Sequence, residues 1–295
     1  MSGAAEAAGY RGASAEAIQH HYDLGNDFYA LWLDPSRTYS CALWADEGDG
    51  ESLESAQMRK LDHIAAGARA AGAERVLDVG CGWGAMLRRL VEHHGVGSVV
   101  GLTLSEAQAE YVTGWADGRY DVRVENWADH DPGASYDAIV SIGAFEHFAD
   151  YGMPRAARVQ AYKDFFERAA GWLPRGGRLS LQTILKGNNV RLDRETRRDL
   201  LFIIERIFPE SELPWLSEVM EASERRFDVV SLRNDPDHYA RTCRAWLDGL
   251  VASRGRAEEL VGAEAVADYE RYLRASADAF ERRHLGLLRV AFERV

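Results

Sequence analysis

The stretch LDVGCGWG, residues 77–84, joins an apolar run to a helical pattern and carries Asp78, Gly80, Gly82 and Gly84. Glycines let a backbone come close to a ligand, and the start of the following helix offers unpaired N–H groups. The spacing is G-x-G-x-G, which is not the G-x-G-x-x-G of dinucleotide sites and lacks the Lys-Ser/Thr of a phosphate loop. A carboxylate at Asp78 repels phosphate and suits a cation. S-adenosylmethionine (SAM) fits such a turn, and an ordinary tight turn is the alternative. Sites of this kind often place an acid for the ribose at the end of the second strand. Thr103 stands there instead, which leaves Gln108 on the next helix as a candidate ribose partner.

Other side chains could also do chemistry. Glu146 in SIGAFEHF lies just past a strand pattern, where it serves either the reaction or a helix cap. His147 beside it reads as packing rather than as a base. Cys41 in RTYSCALW has neither a CxxC partner nor a general base or ligand set nearby, so nucleophile and metal ligand are both poor readings. His20 and His21 beside Tyr22 and Asp23 lack a further metal ligand at the right spacing. A structural role, or a contact to the methionine carboxyl of SAM, suits them better. Cys81 reads as a small residue for close packing, and Cys243 as core.

These residues need elements to position them. A helical pattern over 15–32 is interrupted by Gly25, with Asp27 able to cap the helix beyond the break. Residues 53–71 place Leu53, Ala56, Leu61, Ile64 and Ala68 near one helix face. Strands are expected in RVLDV, SVVGLTLS, YDAIVSIGAFEHF, GGRLSLQTIL and LLRVAFERV. Helices are expected in AMLRRLVEHHG, over 105–115 capped by Ser105, over 155–172 and over 257–282. This alternation predicts an α/β fold, a doubly wound and mostly parallel sheet with helices on both faces. Residues 190–225 break the rhythm with two helices punctuated by Pro209 and Pro214. The domain reading is an arm over 1–15, expected to be mobile, and a single domain over 16–295 with a helical cap at about 187–226. The stripe Leu200, Leu201, Ile203, Ile204, Ile207 and Phe208 is balanced between core and the lining of an acyl tunnel.

The formal charge is −12, which argues against a nucleic-acid partner. Arg191, Arg194, Arg197 and Arg198 are interspersed with carboxylates and read first as a solvated helix face, and second as a lipid-headgroup or phosphate contact. Three separated cysteines fit a reducing cytoplasm, with peripheral membrane contact the further expectation. No signal peptide and no membrane-spanning run are expected.

Four segments in order, HHYDLGNDFYALWLDPSRTYSCALW (20–44), LDVGCGWGAMLRRLVEHHGVGSVVGLTLSEAQ (77–108), SIGAFEHF (141–148) and HYARTCRAW (238–246), resemble the cyclopropane fatty acid synthase family, which includes the mycolic acid cyclopropane synthases. The resemblance covers nearly the whole chain from about residue 16. It implies a seven-stranded, Rossmann-like class I SAM-dependent methyltransferase with N-terminal helices. The implied reaction transfers a carbon from SAM to the double bond of an unsaturated acyl lipid. A carbocation forms and is deprotonated by bound bicarbonate to give a cyclopropane.

Carried over by position, the resemblance makes Cys41, Glu146, Ile184 and Tyr239 the bicarbonate set, and Gln182 falls where the family has histidine. Gln can donate an N–H to the anion but brings no charge. The matched SAM positions are Tyr39, Ser40, Gly80, Gly82, Thr103, Leu104, Gln108, Trp127 and Ile142, beside Asp78. The family's Gly-Trp-Glu appears as Asn126-Trp127-Ala128, a departure at the adenine. Implied partners are the alkene substrate and a transient membrane-surface or acyl-carrier contact. The oligomeric state stays open between monomer and homodimer. The rival functions are a C-methyltransferase on an isoprenoid or polyketide alkene, methyl-branched fatty acid formation, a SAM-fold binding protein without chemistry, and, lowest, a nucleic-acid methyltransferase.

Overall fold

The computed structural model describes Gly12, Ser14, residues 24–45 and residues 50–295. The arm over 1–15 (apart from Gly12 and Ser14), the start of the first helical pattern, and His20, His21, Tyr22 and Asp23 lie outside the described residues.

In chain order the elements are α1 (Asn26–Ala30), α2 (Leu53–Gly67), β1 (Arg75–Val79), α3 (Ala85–His93), β2 (Ser98–Thr103), α4 (Glu106–Thr113), β3 (Tyr120–Val124) and β4 (Ala138–Ile142). A 3-10 turn at Phe145–His147 precedes α5 (Arg155–Trp172), β5 (Arg178–Lys186), α6 (Arg194–Arg206), α7 (Leu216–Ser223) and β6 (Phe227–Asn234). The chain then forms α8 (Pro236–Ala252), α9 (Arg254–Val261), α10 (Ala263–Glu281) and β7 (Leu285–Arg294).

The strands form one seven-stranded sheet in the order β3-β2-β1-β4-β5-β7-β6. Pairings from β3 to β5 are parallel, and β7 runs antiparallel to both β5 and β6. Strand order reverses between β1 and β4, so their carboxyl ends leave a crevice, the usual ligand position in such sheets. Leu77, Ile139 and Leu179 face one side with Phe165 and Phe166 of α5, while Val76, Ala138 and Val140 face Leu61, Ile64 and Leu87. Both faces are therefore covered, which is why the central strands read as nearly continuous apolar runs.

Local sequence accounts for the boundaries. Ser105 caps α4 by accepting the Gln108 N–H at 3.3 Å, as expected from sequence. Asp27 does not cap α1. It lies in the first turn, and Gly25 takes the N-cap with φ 89°, a positive-φ conformation that an aspartate enters only with strain. The expected helix over 257–282 is two helices, divided at Gly262 with φ 86°. Two strands had no counterpart in the sequence reading. Both β3 and β6 are sheet edges, β3 with no buried side chain and β6 exposed beyond Phe227, so burial imposes no apolar pattern on them.

Candidate active site

The glycine turn leaves β1 at the crevice, and its three glycines do different work. A Cβ on Gly80 would lie 2.5 Å from Cβ of Ala144, and one on Gly84 would lie 2.7 Å from Trp115 and 2.8 Å from Val112. Those two positions are fixed by close packing. Gly82, with φ 54°, would meet nothing within 4 Å and faces open space. The Trp83 indole anchors the turn by donating to Oδ1 of Asn26 in α1 at 2.7 Å.

Two connected chambers lie along the turn, sharing Gly80, Gly82, Gln108 and Ile142. The larger, of about 110 Å³, is walled by Thr103, Leu104, Glu125, Asn126, Trp127, Gly143 and His147, among others. The smaller, of about 60 Å³, is walled by Tyr39, Ser40, Lys60 and Asp78, among others. All ten positions expected around SAM therefore converge on one crevice. Trp127 is fixed against Phe148, with ring centroids 5.0 Å apart. The Thr103 hydroxyl donates to Oε1 of Gln108 at 2.8 Å, which leaves the Gln108 amide N–H groups for a ligand. Asp78 is 2% exposed, and its Oδ1 has no hydrogen-bond partner. Burial pushes its pKa up to about 7, opposed by the charge of Lys60. An orphaned buried carboxylate oxygen beside an open glycine turn suits the cationic end of SAM.

Beside this crevice an apolar cavity of about 360 Å³ runs beneath the segment between β5 and β6. Tyr39, Gly143 and His147 wall both the crevice and the cavity. Leu200, Ile203, Ile204 and Phe208 of the balanced stripe line the cavity. Ile207 packs in the core instead, and Leu201 is largely exposed.

Glu146, Ile184 and Tyr239 meet on the cavity wall. The Ile184 N–H donates to Oε1 of Glu146 at 2.7 Å, while Oε2 is buried without a partner. Burial lifts the Glu146 pKa to about 7 against that bond. The Tyr239 ring stacks on Phe280 at 4.4 Å, and burial drives its phenol pKa well up, keeping it neutral. His147 meets Ser211 through Nδ1 at 2.9 Å, and burial lowers its pKa to about 4. A neutral, packed imidazole results.

Cys41 and Gln182, expected in the same set, are fully buried and not among the residues lining the cavity; they are hydrogen-bonded to each other. Nε2 of Gln182 donates to the Cys41 carbonyl at 3.3 Å. Arg289, absent from the sequence reading, donates to Oε1 of Gln182 at 2.8 Å, to the Ala42 carbonyl at 2.8 Å and to Asp235 at 2.6 Å. Its N–H also points at Sγ of Cys41 at 3.4 Å. Burial still pushes the thiol up to about 11, despite the pull of Arg289. Cys41 is thus a neutral thiol. Lys60 was missed as well. It stands on the same face of α2 as Ala56 and Ile64, at four-residue spacing, and a polar residue in that stripe was the available signal.

The family pattern for mycolic acid cyclopropane synthetase matches residues 11–290. This chain belongs to that family. Cyclopropane mycolic acid synthase 3 of Mycobacterium tuberculosis is 37% identical over 276 residues, 89% of this chain and 91% of that protein. The solved cyclopropane synthase MmaA2 of Mycobacterium tuberculosis superposes with a TM-score of 0.87 at 33% identity, over 96% of this chain and 99% of that one. Mycolic acid cyclopropane synthase CmaA1, solved with SAH and CTAB, gives a TM-score of 0.85 at 35% identity, over 95% and 98% of the two chains. The fold is accordingly that of a class I SAM-dependent methyltransferase, and membership in the cyclopropane synthetase family makes the chain an enzyme of that class. Among the described residues, no helix is long and apolar enough to cross a membrane.

Proposed function

We propose that this cyclopropane synthetase family member adds a carbon to the double bond of an unsaturated acyl lipid, with ring closure to a cyclopropane. One observation carries the reading. The glycine-turn crevice and the apolar cavity share the walls Tyr39, Gly143 and His147, and Glu146 is buried on the cavity side of that wall.

Bound along the crevice, SAM supplies an electrophilic methyl carbon. Tyr39, Ser40 and Asp78 hold its amino-acid end in this reading, while Thr103, Leu104, Gln108 and Trp127 hold its nucleoside. An alkene is a weak nucleophile, so alignment in the cavity does much of the work. As its π pair forms the new C–C bond, the methyl–sulfur bond breaks with its pair left on sulfur as S-adenosylhomocysteine, and the other carbon of the former double bond carries the positive charge. Tyr239, Phe280, Phe208 and Tyr272 line the cavity, and an aromatic lining favours a cation through its quadrupoles. The apolar lining keeps water from capturing it.

Ring closure then takes a proton from the transferred methyl, whose C–H pair closes onto the cationic carbon, and a methyl so near a carbocation is acidic enough for a weak base. Bicarbonate suits the unpartnered Oε2 of Glu146, which can accept its O–H, with Tyr239 on the same wall; the Ile184 N–H already serves Glu146, and Cys41, whose carbonyl is taken by Gln182, would contribute only its backbone N–H. The cap at 187–226 forms the outer wall. Exposed Val190 and Tyr151 on its rim, near exposed Arg191, Arg194 and Arg197, favour delivery of the chain from an anionic membrane surface or acyl carrier. A cytoplasmic setting goes with this reading.

The test is incubation with labelled SAM and a panel of mono-unsaturated phospholipids, acyl-carrier thioesters and isoprenyl diphosphates. A product with one added CH2 unit and no remaining double bond is expected from an acyl chain. A product that keeps its alkene, or turnover only of isoprenoid or polyketide alkenes, replaces this reading with the C-methyltransferase one.

A further inference from the structure

Lys60 is the most buried ammonium in the described residues, with 0% exposure, and it lines the smaller chamber of the crevice. Burying a lysine without a fixed counter-charge is costly, so a reason for it is required. An internal ion pair is not the reason. The one hydrogen bond from its Nζ goes to Oγ of Ser40 at 2.8 Å, and Oδ1 of Asp78, in the same chamber, has no partner. Two groups of opposite sign therefore face one small space without closing on each other.

The direction of the Ser40 bond adds to this. An ammonium can only donate, so the Ser40 oxygen is the acceptor and its own hydrogen stays available. The chamber is then lined by donors, from Lys60 and the Ser40 hydroxyl, and by an acceptor, from Asp78. That is the complement of a zwitterion bearing a carboxylate and an ammonium on one carbon. Phosphate is a poor match, since Asp78 would repel it.

We infer that Lys60, with the Ser40 hydroxyl, receives the α-carboxylate of the methionine part of SAM, while Asp78 receives the α-ammonium. This rests on the crevice being the SAM site, and it assigns a cofactor-binding role to a residue of α2, outside the glycine turn. It also explains the burial of Lys60, because charge-assisted bonds to a carboxylate are among the stronger polar contacts available to a lysine. Burial lowers its pKa to about 7 in the chain alone, and an arriving carboxylate stabilises the protonated form.

The experiment compares three ligands by isothermal titration calorimetry: S-adenosylhomocysteine (SAH), its decarboxylated analogue, and 5′-methylthioadenosine, which lacks the amino-acid end. Wild-type protein is expected to bind SAH at least tenfold tighter than the decarboxylated analogue. Lys60→Met is expected to weaken SAH at least tenfold and to leave 5′-methylthioadenosine within twofold. Equal loss for both ligands would assign Lys60 a structural role and overturn the proposal, as would no loss for either. The wild-type comparison needs no variant, so equal affinities for SAH and its decarboxylated analogue overturn the proposal even if Lys60→Met does not fold. Wild-type protein that binds none of the three would instead overturn the SAM site itself.

Discussion

Nε of Arg289 donates across the β5–β7 ladder to Oε1 of Gln182 at 2.8 Å, and these two residues are cross-strand partners in register. The bond fixes which end of the amide faces which way. Oε1 is committed to the guanidinium, so the amide can offer only N–H groups elsewhere, and one of these goes to the Cys41 carbonyl. Where the family resemblance implies a histidine, this chain has a neutral donor backed by a permanent cation, itself paired with Asp235.

Gln182→His tests that arrangement. A histidine here sits beside Arg289, whose charge disfavours the imidazolium. The expected result is an altered response to bicarbonate depletion, or an altered ratio of cyclopropane to other products, read by mass spectrometry. An unchanged response would show that Gln182 does not touch the anion.

Glu146→Gln should lower turnover at least a hundredfold, within the range of a lost acid–base group, while SAH affinity stays within about twofold. The pH profile gives a second reading. With its pKa raised to about 7 by burial, Glu146 is mostly protonated at pH 6 and mostly ionised at pH 8. The ionised form is the one that accepts a bicarbonate O–H, so kcat/KM should rise through about pH 7 and level off above it. A profile flat from pH 6 to 8 would remove Glu146 from this role.

Much of this was legible in the sequence, and the losses have physical causes. The glycine turn, Glu146 and Tyr239 lie in motifs whose order along the chain carries the family resemblance. The strands β3 and β6 escaped because edge strands bury too little to enforce alternation. Lys60 and Arg289 escaped for the opposite reason. Each is a charge inside an apolar stripe or strand, and composition alone reads a charge as solvent-facing. Arg289 lies between Leu288 and Val290 in a strand buried along most of its length, so its partner had to be another buried polar group. Only the register of β7 against β5 reveals that partner. The stripe on α6 was undecidable from spacing, since core and cavity lining have the same helical period.

Cys41→Ser should retain most of the activity, because a thiol held near a pKa of 11 is not a nucleophile at neutral pH. All three cysteines are buried and free. A thiol reagent such as DTNB should therefore react with none of them in the native protein and with all of them after unfolding. Loss of activity in Cys41→Ser with SAH binding intact would give the sulfur a chemical role.

Asp78→Asn should trade binding for stability. The folded chain holds the Asp78 proton up to about pH 7, against an ordinary value of 3.8. Across that window only the unfolded state ionises, so stability falls as pH rises through it and levels off above. The contribution is at most about 4 kcal/mol, from the size of the shift. The asparagine variant should melt a few degrees higher at pH 8, with a flatter pH dependence between 4 and 7, and bind SAH at least tenfold more weakly. Scanning fluorimetry across pH with calorimetric titration checks both halves, and a variant that melts lower at pH 8 contradicts the account.

The placement of β7 between β5 and β6 also constrains the order in which the molecule can assemble. Among the described strands β6 pairs only with β7, so β6 waits without a ladder while α8, α9 and α10 are added to a growing chain. Until β7 arrives, β5 is the sheet's outer strand on that side, and Gln182 lacks the guanidinium that orients it. The parallel half bearing the glycine turn is under no such constraint. A nascent chain can therefore form its glycine-turn half well before the polar cluster around Cys41 exists, and the two halves should mature at separable times during refolding.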